Sequence, residues 1–236
     1  MSRPIRPPGE HATGVDAFRD LAPAYDSWFE SALGSFVVSR QMAALEGVLS
    51  PLPARSRIVE VGAGTGKAAA FLAARDYRVV AVEPAAEMLS AGRRRTAAGD
   101  VQWIRAVAEA LPIAATAFDA ALFFTTLEFV EDPGAALAEA WRVLRPGGLL
   151  VVGFLESLSP WAARYRSQAD HGEEPWTAAR FLTLPDLQPW VGFEPEGVES
   201  TVFLAPDARP PFDEADEAGR RAGNHGSLTL VRWRKP

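Results

Sequence analysis

Glycine occupies every second position of Gly62-Ala63-Gly64-Thr65-Gly66, directly after the apolar run Ile58-Val59-Glu60-Val61 and before the alanine-rich stretch that starts at Lys67. Glycine lets a backbone turn sharply and lie against a ligand with no Cβ in the way, and a helix that follows offers N–H groups to that ligand. The chemistry on offer is binding. Its spacing narrows the ligand: the dinucleotide pattern G-x-G-x-x-G needs its third glycine where Lys67 stands, and the phosphate loop G-x-x-x-x-G-K-[ST] needs a glycine at Val61 and a hydroxyl at Ala68. Phosphate binding is disfavoured.

A second candidate is Glu83, which closes the apolar run Arg78-Val79-Val80-Ala81-Val82 just before Pro84. An acid at the carboxyl end of the second strand, in register with a glycine loop, can accept hydrogen bonds from both hydroxyls of a ribose. The alternative is an unliganded surface acid.

These groups need an α/β frame to position them. Strands are expected at 57–61, 78–82, 102–107, 118–124 and 149–154, with helices at 67–75, 85–95 and 134–144 between them. All-apolar strands of this kind belong to a parallel sheet covered on both faces. Arg145-Pro146-Gly147-Gly148 ends the last of these helices and turns the chain. Upstream, residues 1–14 read as a mobile tail, aromatics spaced a turn apart from Asp16 mark a helix, and a second helix spans 36–49 before Pro51. Downstream, Trp161, Tyr165, Trp176 and Phe181 mark a cap within 157–183. Alternation predicts strands at 198–204 and 227–233, separated by a long exposed loop at 206–224. One domain over 15–236 accommodates all of this.

Composition excludes several classes. The 236 residues carry no cysteine, so disulfides, thiolate metal sites and cysteine nucleophiles are out, and a reducing cytoplasm is compatible. Three histidines without ligand spacing predict no metal. A net charge of -6 argues against nucleic-acid binding, and Arg93-Arg94-Arg95 reads as cations at a helix C-terminus. No apolar run is long enough for a membrane span.

Four blocks in order, Val59 to Gly66, Val82-Glu83-Pro84 with Met88-Leu89, Ala108-Glu109-Ala110-Leu111-Pro112 before Phe118-Asp119, and Arg142-Val143-Leu144-Arg145-Pro146-Gly147-Gly148, resemble the class I S-adenosylmethionine-dependent methyltransferases of the ubiquinone/menaquinone-biosynthesis type. Ala24-Tyr25-Asp26 resembles an N-terminal motif of the same branch. The resemblance implies a Rossmann-like three-layer sandwich with a seven-stranded, mostly parallel sheet of order 3-2-1-4-5-7-6, last strand antiparallel, N-terminal helices and a small cap after strand five. It also implies S-adenosylmethionine as cofactor, with Glu60, Gly62, Gly64 and Gly66 at its methionine end and Glu83 on the ribose. Pro84, Met88, Ala108 and Glu109 would stand near the adenine, and Tyr25 and Thr125 also beside the cofactor. Val107 stands where this family usually has an aspartate that accepts from the adenine amino group, and one lost hydrogen bond costs roughly 0.5–1.5 kcal/mol.

Methyl transfer from a sulfonium is an in-line displacement that asks for alignment and exclusion of water more than for catalytic side chains. Tyr25 and Glu128 are the candidates for a direct part in it, Glu128 as a base just past strand four. Trp28, Trp161, Tyr165, His171 and Trp176 are candidates for the acceptor, a small molecule methylated at N, O or C. Each has a packing or solvated alternative. A cofactor-binding protein without turnover and a nicotinamide-dependent oxidoreductase stay open as other classes, the second disfavoured by Lys67. Neither the acceptor nor the oligomeric state is legible.

Overall fold

Parallel strands buried on both faces are near-continuous apolar runs, and β1 (Arg57–Val61) and β2 (Arg78–Val82) are so beyond their exposed first residues, with Glu60 as the one buried polar exception. The computed structural model describes residues 14–19, 21, 26–96 and 99–236. Tyr25 and, apart from Gly14, the expected tail lie outside them, and Gly14 begins helix α1 (Gly14–Arg19). Seven strands form one sheet in the order β3-β2-β1-β4-β5-β7-β6. β3 (Val101–Ile104), β4 (Phe118–Phe124) and β5 (Leu144–Leu155) run parallel to β1 and β2, whereas β7 (Leu228–Arg234) is antiparallel to both β5 and β6 (Gly197–Thr201). The order and direction expected from the sequence are those observed.

Period-two alternation divides each strand between two cores. Val59, Val61 and Phe123 join Leu137 on one side of the sheet, where α6 (Pro133–Val143) and α8 (Leu184–Val191) pack. Ile58, Leu122 and Val151 join Leu45 and Leu72 on the other, beneath α3 (Ala32–Leu49) and α4 (Lys67–Ala73). Short α2 (Ser27–Glu30) precedes α3, whose first turn is capped by Ser31 Oγ accepting from Gly34 N at 3.0 Å. α5 (Ala86–Arg95) follows β2, and α7 (Pro160–Asp170) with the single turn Trp176–Ala178 builds the cap.

Several boundaries differ from expectation, among them β6, which ends at Thr201 rather than 204, and α3, which begins at Ala32 rather than 36. β3 stops at Ile104 rather than 107, because its partner β2 ends at Val82 and Pro84 brings no N–H to extend the ladder. β5 starts at Leu144, ahead of the Arg-Pro-Gly-Gly turn, with a register shift between Phe118 and Ala120 that absorbs it. The segment expected as a loop at 206–224 contains α9 (Phe212–Arg221). Its Phe212 and Ala215 pack against the cluster of Val37, Trp161, Val202 and Leu204. Asp216 on the same face accepts from Phe203 N and Leu204 N at 2.6 and 3.0 Å. Acids in its first turn and arginines in its last suit the helix dipole. The many charges masked an amphipathic helix. Among the described residues, no helix is long and apolar enough to cross a membrane.

Candidate cofactor and acceptor site

The carboxyl ends of β1, β2 and β4 open into a cavity of about 500 Å³ that also touches α1, α2, α3, α7 and the turn at Trp176. Ligands of α/β sheets bind at this edge. The glycine loop forms its floor, but its three glycines do different work. Gly62 N donates to Val82 O at 2.8 Å, Gly66 N to Ala63 O at 2.9 Å and Gly64 N to Glu83 Oε2 at 2.8 Å. The N–H groups of all three glycines are therefore engaged within the protein. A Cβ on Gly62 would meet Thr126 Cγ2 at 2.1 Å, and one on Gly66 would meet Trp103 at 2.8 Å, so these two glycines serve packing. Only at Gly64, with φ +55°, would a Cβ meet nothing within 4 Å and project into open space. Gly62 and Gly64 line the cavity; Gly66, at the N-cap of α4, does not.

What the loop offers instead is charge. Glu60 is 2% exposed and lines the cavity, and its Oε2 has no hydrogen-bond partner among the described residues. Burial, and then the charge of Glu83, push its pKa up to about 8, against a smaller opposing hydrogen bond from the Ala69 backbone. Glu83 is also buried, and each of its oxygens accepts one backbone N–H, from Gly64 and from Ala85, both at 2.8 Å. Desolvation raises its pKa and those two bonds restrain the shift. A carboxylate oxygen can accept more than one hydrogen bond, so Glu83 retains capacity toward the cavity.

Pro84, Met88, Val107, Ala108 and Glu109 line the cavity beside Glu83. Glu109 Oε1 accepts from Glu131 N and Asp132 N at 3.1 and 3.2 Å, which gives it a structural duty in the turn before α6. Val107 is 44% exposed at this end. Thr125 and Thr126 line the opposite wall; Thr125 has φ 54°, a strained conformation for a β-branched residue.

Trp28, Trp161, Tyr165 and Trp176 all line the far end. Tyr165 and Trp176 stack with centroids 3.7 Å apart, and Trp28 meets Trp161 edge-on at 5.8 Å. His171, by contrast, is exposed at the C-terminus of α7, its Nδ1 donating to Ser167 O at 2.6 Å, and neither it nor Glu128 is among the described residues that line the cavity. Glu128 is 1% exposed; its Oε1 accepts from Leu155 N at 2.5 Å, its Oε2 is unpartnered among the described residues, and burial pushes its pKa up to about 7. It joins the ends of β4 and β5 from behind the cavity wall.

The family model of the methyltransferase domain matches residues 59–152. A demethylmenaquinone methyltransferase of Renibacterium salmoninarum is 36% identical over 135 residues, 57% of this chain and 55% of that one. An uncharacterized protein of Mycobacterium tuberculosis is 34% identical over 221 residues, 92% of this chain and 72% of its own. A solved S-adenosylmethionine-dependent methyltransferase of Thermotoga maritima superposes with a TM-score of 0.72 at 27% identity, over 94% of this chain and 100% of that one. The chain belongs to the class I S-adenosylmethionine-dependent methyltransferases.

The cofactor of this methyltransferase is S-adenosylmethionine, and the residues present fit it. The orphaned Glu60 oxygen suits an ammonium, Glu83 suits a diol, the open space over Gly64 admits a chain, and Pro84 with Met88 gives a base an apolar bed. Three features of the site were not assigned from the sequence. Thr126 packs into the space left by Gly62, Lys67 lines the cavity with its Nζ 4.5 Å over the Phe29 ring, and Asp26 holds the loop from outside. Lys67 had registered only as a missing glycine, and the two others form contacts across 39 and 64 residues of sequence that no local pattern announces.

Proposed function

We propose that this enzyme methylates a small-molecule acceptor at N, O or C. The observation that carries the proposal is that the glycine-loop floor and the aromatic far end belong to one cavity, whose size of about 500 Å³ is that of a small-molecule site. The demethylmenaquinone methyltransferase relative, whose name gives a small-molecule substrate, supports the same class.

Bound S-adenosylmethionine supplies an electrophilic methyl group. Glu60 would hold the cofactor at its methionine end and Glu83 at its ribose, and Gly64 would allow the close approach. Pro84, Met88, Ala108, Val107 and Thr125 would pack around it, with Glu109 contributing through the turn it stabilises. Trp28, Trp161, Tyr165 and Trp176, carried by the N-terminal helices and the 157–183 cap of a single domain over 15–236, would align the acceptor and exclude water. Tyr25, outside the described residues, is proposed beside the cofactor on the family resemblance alone. No base is required for a carboxylate acceptor or for an amine of low pKa.

Calorimetric titration with S-adenosylmethionine and S-adenosylhomocysteine tests the cofactor half, and release of labelled methyl into an acceptor panel tests the rest. Glu83→Ala should abolish measurable binding. It also orphans Gly64 N and Ala85 N, so a stability loss of about 1–3 kcal/mol is expected alongside. Unchanged affinity in that variant would refute the assignment.

A further inference from the structure

We infer that Lys67 receives the carboxylate of the cofactor, and that this enzyme therefore discriminates S-adenosylmethionine from its decarboxylated form. The inference rests on the reading of the glycine-loop floor as the site of the cofactor's methionine end.

The α-carbon of S-adenosylmethionine carries both an ammonium and a carboxylate, so a site that takes the first must offer a cation to the second nearby. Glu60, with its orphaned oxygen, suits the ammonium. The same carboxylate accepts a hydrogen bond from the Ala69 backbone, which sets it against the first turn of α4, and Lys67 opens that turn. Among the described residues that line the cavity, four are acids, Glu60, Glu83, Glu109 and Glu131, and two are cations, Lys67 and Arg164. A carboxylate that enters must settle beside one of those two, or lose water without gaining a counter-charge. Arg164 belongs to α7 in the cap, where it donates to Pro206 O at 3.4 Å. Lys67 is the one on the glycine-loop side.

The charges around Lys67 leave a place for a second anion. Its Nζ lies 3.2 Å from Asp26 Oδ1 and 4.5 Å over the ring of Phe29, which itself lines the cavity. Asp26 is shared with Arg95, and neither cation pairs with another acid among the described residues. Two positive charges therefore face one negative charge at a junction where no side chain is more than 32% exposed. Arg95 is not among the described residues that line the cavity, so Lys67 presents the surplus to it. An ammonium on a flexible stem has three N–H donors, so Lys67 can keep one on Asp26 and turn another to the cofactor.

The test titrates the full chain calorimetrically with two probes that differ only in this group, S-adenosylmethionine and decarboxylated S-adenosylmethionine. The wild type is expected to bind the first about tenfold more tightly than the second. Lys67→Met, which keeps the length of the side chain without its charge, should lose about tenfold in affinity for S-adenosylmethionine and less than about twofold for the decarboxylated form, so that the two bind nearly alike. Lys67→Arg should keep most of the discrimination. Because Lys67→Met also takes a partner from Asp26, a merely structural role would loosen the loop and weaken both probes together, and that outcome overturns the inference. A wild type that binds both probes equally overturns it too. Unchanged binding of S-adenosylmethionine by Lys67→Met would sink it while leaving the cofactor reading intact, whereas a wild type that binds neither probe would take the cofactor reading and this inference down together.

Discussion

Asp26 accepts a hydrogen bond from Thr65 Oγ1 at 2.9 Å and so fastens the chain ahead of α2 to the turn of the glycine loop. The same carboxylate pairs with Lys67 Nζ at 3.2 Å and with Arg95, whose Nε donates to Thr65 O at 2.8 Å. Three elements distant in sequence thus meet on one partly buried acid. The loop's shape is set from outside the cavity, and the N-terminal helices that flank the acceptor end are anchored to the cofactor floor.

That coupling predicts a graded loss of cofactor affinity. Asp26→Asn keeps an acceptor for Thr65 but removes the charge, and Asp26→Ala removes both. Partly exposed pairs contribute little each, so titration with S-adenosylhomocysteine should show a loss of roughly threefold for the asparagine variant and tenfold for the alanine variant, about 0.7 and 1.4 kcal/mol. Equal affinity in all three proteins would mean that the loop holds itself.

How much of this was legible can be judged residue by residue. β1, β2 and β4 were readable to the residue, because a strand buried on both faces has few ways to be written. Glu60 and Glu83 were readable as a pair fixed by loop register. α9 was not, since its apolar face is only Phe212, Ala215 and Gly219 among many charges, and its stability comes from Phe36, Trp161 and the N–H groups capped by Asp216. Glu128 looked like a base by topology, but side-chain direction decides, and it turns to Leu155 N. The Asp26 junction needed three dimensions.

Glu60 predicts a proton signature. Its pKa of about 8 keeps it largely protonated at pH 7, and a cationic partner at its orphaned oxygen favours the charged form. Cofactor binding at pH 7 should therefore release close to one more proton in the wild type than in Glu60→Gln, as read by calorimetry in buffers of different ionisation enthalpy. Affinity of the wild type should rise between pH 6 and 8. An identical proton count in both proteins would remove Glu60 from the ammonium site.

Glu128 predicts a pH dependence of stability. Its folded pKa is raised to about 7 from an ordinary 4.5, so between these values the folded chain holds a proton that the unfolded chain has released. Stability contributed this way is present below pH 4.5 and is lost as pH rises through 7. Glu60 acts in the same direction up to about 8. Glu128→Gln keeps an acceptor for Leu155 N and removes the titration, so its melting temperature should fall less between pH 5 and 8 than that of the wild type, by roughly 5 °C. Parallel curves would show that Glu128 stays in one protonation state throughout.

Gly62 and Gly64 predict opposite phenotypes from the same substitution. An alanine at Gly62 must adopt φ +75° and press its Cβ against Thr126, whose Cγ2 would lie at 2.1 Å, so Gly62→Ala should cost about 1–3 kcal/mol of stability. Pairing it with Thr126→Ala removes the two nearest atoms and should recover part of that loss. At Gly64 the Cβ has room in the folded protein, and the stability cost is the left-handed backbone alone, about 1–2 kcal/mol. That Cβ projects into the space a bound cofactor needs, so Gly64→Ala should lose affinity at least tenfold while melting closer to the wild type than Gly62→Ala does. Thermal melts and titrations on both variants check the pair. If Gly64→Ala bound S-adenosylhomocysteine as tightly as the wild type, the open space over that glycine would not be where the cofactor lies.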